Sequence, residues 1–146
     1  MVTVTPVGAI SPGSTWSALY GGDGFEEMEG LLITQDGGLV ICGATDSYGE
    51  GESGDAWILK LRGDGQVVWQ RTYGGPGDES ILDMRQLPDG GFIAVGWTQS
   101  FGVKQTDVWV LRLDAQGQVV WAKTYGGAGV EQAWSVDLTG DGGYVV

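Results

Sequence analysis

Histidine and asparagine are both missing from the 146 residues, and each absence closes off a class of chemistry. Without histidine the chain has neither the commonest general base nor the commonest metal ligand. Without asparagine it offers no acceptor for N-linked glycans. The single cysteine, Cys42, excludes an internal disulfide; its neighbours Val40, Ile41 and Gly43 read as buried strand, with the thiol a small apolar filler. Basic residues are scarce. Seven of them against 19 acids give a net charge of −12, which sets the surface against nucleic acid and anionic membranes. No apolar run approaches the roughly 20 residues of a membrane-spanning helix. No basic segment followed by an apolar one opens the sequence as a secretory signal would.

Glycine, by contrast, is abundant at 28 residues, far too dense for helices, and it recurs in step. Tyr20-Gly21-Gly22 returns as Tyr73-Gly74-Gly75 and as Tyr125-Gly126-Gly127, at intervals of 53 and 52. Asp36-Gly37-Gly38 returns as Asp89-Gly90-Gly91 and Asp141-Gly142-Gly143. A period of this size marks a repeat architecture in which each unit is one supersecondary element.

Within a unit the apolar runs are short and each meets a turn signal. In the first they are Glu26 to Thr34, Leu39 to Gly43, Ala56 to Leu61 and Gln66 to Trp69; in the second, Ser80 to Leu87, Phe92 to Val95, Asp107 to Leu113 and Gln118 to Trp121. Asp-Gly between two such runs predicts a two-residue hairpin with both central residues at positive φ. Ala56 to Leu61 and Val108 to Leu113 carry apolar residues on both parities, the pattern of a sheet packed on both faces. Four antiparallel strands in about fifty residues, buried on both faces, predict an all-β fold of β-propeller-type blades.

The units are out of phase with the ends. Counting back from Trp16, Trp69 and Trp121 puts Val2 to Ala9 where Asp107 to Asp114 lie, so the sequence opens at a third strand; Tyr144-Val145-Val146 falls where Phe92-Ile93-Ala94 lie. The single repeat domain divides as a half-blade over 1–20, blades over 21–73 and 74–125, and a half-blade over 126–146. Three blades' worth of strands falls short of the four to eight that close a ring. A homodimer with six blades in a closed ring, or a piece of a larger propeller, is the expectation.

Trp69, Tyr73-Gly74-Gly75, Glu79, Asp89-Gly90-Gly91, Gly96, Thr98, Ser100, Asp107, Trp109, Leu113, Gly117 and Trp121 together resemble the roughly fifty-residue propeller repeats of bacterial and archaeal proteins. The first unit matches at Gly43, Thr45, Ser47, Asp55, Trp57, Leu61 and Gly65. The resemblance covers nearly the whole chain and implies a blade architecture and a secreted or cell-surface setting. It implies no activity, because propellers host enzymes, lectins and scaffolds alike.

Candidate site residues divide into repeated and unrepeated ones. Trp16, Trp69 and Trp121 share one repeat position, Trp57 and Trp109 another, and Tyr20, Tyr73 and Tyr125 a third, so they read as packing between blades. Glu26, Glu79 and Glu131, like Asp36, Asp89 and Asp141, read as acceptors for turn backbone. Trp97 and Trp134 break the repeat: Ala44 stands for the first, Glu29 and Leu82 for the second. With Tyr48 they are the candidates for stacking on a glycan. The loop holding Asp46, Glu50, Glu52 and Asp55 is the best local candidate for calcium, though it lacks a dense alternating run of acids. No other cofactor is expected. With no histidine or paired lysine beside a serine, the expectation is a non-catalytic scaffold, with a lectin-like module as the alternative and a hydrolase working through two carboxylates as the remote one.

Overall fold

A computed structural model describes residues 1–4, 16–49, 53–102 and 105–146, and among these there are twelve β-strands and no helix. The strands are β1 Val2–Val4, β2 Ala18–Tyr20, β3 Glu26–Ile33, β4 Leu39–Thr45, β5 Asp55–Leu61, β6 Val67–Tyr73, β7 Glu79–Gln86, β8 Phe92–Thr98, β9 Asp107–Leu113, β10 Val119–Tyr125, β11 Asp137–Leu138 and β12 Tyr144–Val145. They form two antiparallel four-stranded sheets, β3-β4-β5-β6 and β7-β8-β9-β10, flanked by the two-stranded pairs β1-β2 and β11-β12.

Each strand lies beside the one before it; in each four-stranded sheet the first and second strands, and the third and fourth, join through tight hairpins, while a longer loop joins the second to the third. At the first, Gly37 N donates to Thr34 O and Thr34 N to Gly38 O, enclosing Gln35, Asp36 and Gly37, with Gly37 at φ +76°. The loop therefore has three residues, not the two expected from Asp-Gly. A four-residue turn followed by a left-handed glycine matches the twist of the strands as well as the shorter loop does. The same pattern closes the turns at Gly65, Gly90, Gly117 and Gly142.

Three apolar layers hold the four sheets in a stack. Alternation along β5 sends Trp57, Leu59 and Leu61 into one layer with Trp16 and Tyr20 of the leading pair, while Ala56 and Ile58 enter the next. That second layer joins the four-stranded sheets through Val40, Cys42, Tyr73, Met84, Trp109 and Leu111. A third joins the second sheet to the trailing segment through Ile93, Val95, Val110, Ala133 and Val136. Every residue of β5 is buried, as a middle strand covered on both sides must be.

Two details depart from the sequence reading. The fourth strand of each unit continues through its tyrosine, because Tyr73 pairs with Ala56 and Tyr125 with Val108. Val2 pairs with Tyr20, so it occupies the place of Val108 and not that of Asp107. Counting back by a fixed step assumes an unchanged turn between the strands, whereas the ladder sets the register directly.

Candidate functional site

The repeated Trp-x-x-x-Tyr segment works as a clasp between neighbouring sheets. Tyr73 Oη donates to Gly117 O at 2.7 Å, reaching the last hairpin of the second sheet, and Arg71 Nε donates to Gln116 O of the same turn at 2.8 Å. One sheet earlier Tyr20 Oη donates to Gly65 O at 2.7 Å and Trp16 Nε1 to Gly63 O at 2.9 Å. The receiving glycine is needed twice over. It holds a positive φ, and a Cβ on Gly117 would lie 3.0 Å from the Trp69 indole, as one on Gly65 would lie 2.9 Å from Trp16. Burial pushes the Tyr73 phenol up from its ordinary pKa. The clasp is a neutral hydrogen bond with an aromatic lid.

Carboxylates fasten the loops within each sheet. Glu79 is buried and accepts from Gly75 N at 2.9 Å, Thr98 Oγ1 at 2.7 Å and Ser100 N at 3.0 Å, while Ser100 Oγ accepts from Gly77 N. Glu26 accepts from Thr45 Oγ1 and pairs with the Met1 ammonium at 2.8 Å. Burial works against its charge, but the ammonium and hydrogen bonds from Ser47, Gly22 and Thr45 outweigh that and hold the carboxyl at about 2. Asp36 accepts from Gly38 N and from Lys60 Nζ at 3.0 Å; its bond from Thr34, then those from Gly38 and Lys60, bring it to about 2 as well. Asp89 and Arg112 repeat that pair in the second sheet. Asp83 ties down the trailing segment, accepting from Ser135 Oγ and Val136 N at 3.0 Å each. Despite its burial, those bonds keep it below the usual aspartate range.

The calcium candidates differ in setting. Asp55 is buried, Asp46 is exposed, and Glu50 and Glu52 lie outside the described residues. Asp55 instead stands beside Glu79, both carboxylates crowding the face of Gly74, and Asp107 stands beside Glu131 over Gly126 in the same way. Among the described residues no group of three or more acids, cysteines or histidines is arranged to hold a metal ion.

The glycan candidates also stand in different settings. Tyr48 leans on Trp57, ring centroids 6.1 Å apart, on the leading side of the first sheet. Trp97 is half-buried in β8, and Trp134 is 70% exposed beyond the second sheet. Trp134 matches Leu82, the residue the register skips as a bulge between Ile81 and Asp83. A cleft of about 400 Å³ lies where Phe101 and Trp109 meet Val119, Ala122 and Thr124. A smaller one of about 140 Å³ repeats it at Tyr48, Trp57, Arg71 and Thr72. No helix among the described residues is long and apolar enough to cross a membrane.

No family model matches this chain, and no curated protein is similar enough to it to count as a relative. Its own repeated geometry is what remains to read.

At the flanks the same positions have a different setting. The third clasp, Trp121 and Tyr125, borders an open cleft of about 420 Å³ lined by Val108, Val110, Trp121, Tyr125, Tyr144 and Val146. Tyr125 is 55% exposed, against 8% for Tyr73, and among the described residues its hydroxyl meets no partner. At the other end Leu31 and Ile33 of β3 are exposed, the second at 68%. Motif reading alone misses the clasp, although Gly65 and Gly117 recur 52 residues apart, within one residue of the interval of the tryptophans and tyrosines that meet them. The Lys60–Asp36 and Arg112–Asp89 pairs left a similar trace, a base and an acid each repeated 52 or 53 residues on.

Proposed function

We propose that this chain is a non-catalytic interaction scaffold of propeller-type blades, which completes its sheets by joining a second copy into a six-bladed ring. The observation that carries the reading is the contrast between one finished seam and two unfinished flanks built from the same repeat. Between the four-stranded sheets the apolar layer is closed and the clasp engaged. At the flanks, strands of equal apolar character face outward and the sheets stop at two strands. Exposed apolar faces and open strand edges favour association over solvation. Repeated acids that serve as turn and loop acceptors leave few groups for chemistry, which supports a role without catalysis.

Light scattering and native mass spectrometry at micromolar concentration test this directly. A species of twice the 15.4 kDa chain mass is expected. A monomer that persists on concentration overturns it.

A second reading is a glycan-binding module, favoured by the aromatic cleft at Phe101 and Trp109. Glycan-array binding that Phe101→Ala abolishes would support it, and silence across the array would remove it.

A further inference from the structure

The free face of the second sheet and the free face of the leading strand pair are two halves of one repeated seam. On the first sheet, Ala56, Ile58, Trp69 and Tyr73 form a surface that Trp109 and Leu111 of the second sheet cover. The same positions on the second sheet are Val108, Val110, Trp121 and Tyr125, and there the surface opens into the 420 Å³ cleft. What covers the first is the third and fourth strands of the next sheet. The leading pair β1-β2 is itself such a third and fourth strand, in matching register.

That register identifies the face it offers. Trp57 stands opposite Thr72, Trp109 opposite Thr124, and in the leading pair Thr3 stands opposite Leu19. The face that carries Trp and Thr within each complete sheet thus carries Thr and Leu here. Thr3 is exposed and Leu19 is 61% exposed, although its counterparts are threonines. The opposite face of the pair is already engaged, through Trp16 and Tyr20, with the first sheet of its own chain. Among the described residues no pairing joins β1 or β2 to β11 or β12, so the leading pair of the same chain does not fill the cleft.

We infer that the cleft at Trp121 and Tyr125 is the seat of the leading strand pair of a second copy, entered by its Thr3 and Leu19 face. This rests on the self-association proposed above and fixes its geometry. The contact is head to tail, each copy giving its leading pair and receiving another, so two copies close with two identical seams. Net charge opposes the approach, so the contact strengthens as salt screens it.

The test separates the seam from the association. Thr3→Cys and Val108→Cys are made in separate chains, mixed, and treated with a bismaleimide spanning about 10 Å, the usual distance between packed sheets. Cys42 does not compete: it is buried, and burial pushes its thiol up to about 12. Cross-linking in the mixture, absent from either variant alone, is expected. Cross-linking of Val108→Cys with itself would show two clefts facing each other, overturning the seam while leaving self-association standing. A dimer with no cross-link in any sample overturns it likewise. A chain that stays single leaves the cleft to some other protein, and both proposals fall. As a second measure, Leu19→Asp places an unpaired charge in the seam and should raise the dimer dissociation constant at least about tenfold. Unchanged association of that variant also overturns the seat.

Discussion

Tyr73 and Tyr125 end the same repeated strand and meet opposite fates. The first is buried and bonded to Gly117 O across the seam; the second stands half in solvent beside an open cleft. Nothing in their own units explains the difference, since each follows a tryptophan by four residues and precedes two glycines. What differs is whether a further sheet supplies a turn carbonyl. A repeat of this kind encodes half of every contact and leaves the other half to its neighbour.

The largest test of that contrast is Leu111→Ala. Leu111 is fully buried in the finished seam, and its truncation should cost about 2–5 kcal/mol in chemical denaturation. Ile33→Ala, on an exposed position of β3 at the leading flank, should stay within about 0.5 kcal/mol. Equal costs would mean that the seam is no tighter than the flank.

Glu79→Ala should follow, at about 1–3 kcal/mol, because it strands the Gly75 amide and the Thr98 hydroxyl and leaves the Ser100 amide only Thr98 Oγ1. Glu131→Ala, whose carboxylate takes only Gly127 N among these donors' counterparts, should cost less.

Acid sharpens the comparison in another way. Glu26 sits at about 2 against an ordinary 4.5, and Asp83 is also depressed. A lowered carboxylate pKa stabilises the fold above the unfolded value, so the gain is whole above about pH 4.5 and drains as pH falls toward 2. The Met1 ammonium is half-exposed, which limits Glu26 to on the order of 1–2 kcal/mol. Hydrogen exchange over that range should show β1-β2 and the segment after Glu131 losing protection while β5 and β9 keep theirs. Uniform loss would count against separate fastening of the ends.

The smallest effect belongs to the clasp itself. Tyr73→Phe should cost about 1 kcal/mol, and Tyr125→Phe close to nothing in a dilute single chain. Measured where copies associate, the second cost should rise toward the first.

Much of the fold was legible before any coordinates, for physical reasons that stop at identifiable residues. Apolar residues on both parities of β5 and β9 announced sheets covered twice, because a one-sided strand alternates. Hairpin length is not legible, since Asp-Gly suits both two- and three-residue loops and the sequence does not show which carbonyl the Gly37 or Gly90 amide will meet. Asp55 and Glu79 meet over Gly74 from either side of a sheet boundary, a pairing hidden by their separation of 24 residues in sequence. The clasp spans 44 to 47 residues and joins a side chain to a backbone carbonyl, which leaves no complementary residue type to notice. Trp134 drew attention as an aromatic out of step; its place at a bulge position explains why the repeat tolerates Glu, Leu and Trp there.

The clasp also has an arrow. Trp16, Tyr20 and Tyr73 all reach forward, from one sheet to the last hairpin of the next. Units fastened this way add in one sense only, like tiles on a roof. The tilt between successive tiles then decides whether the row bites its own tail or winds on as a filament.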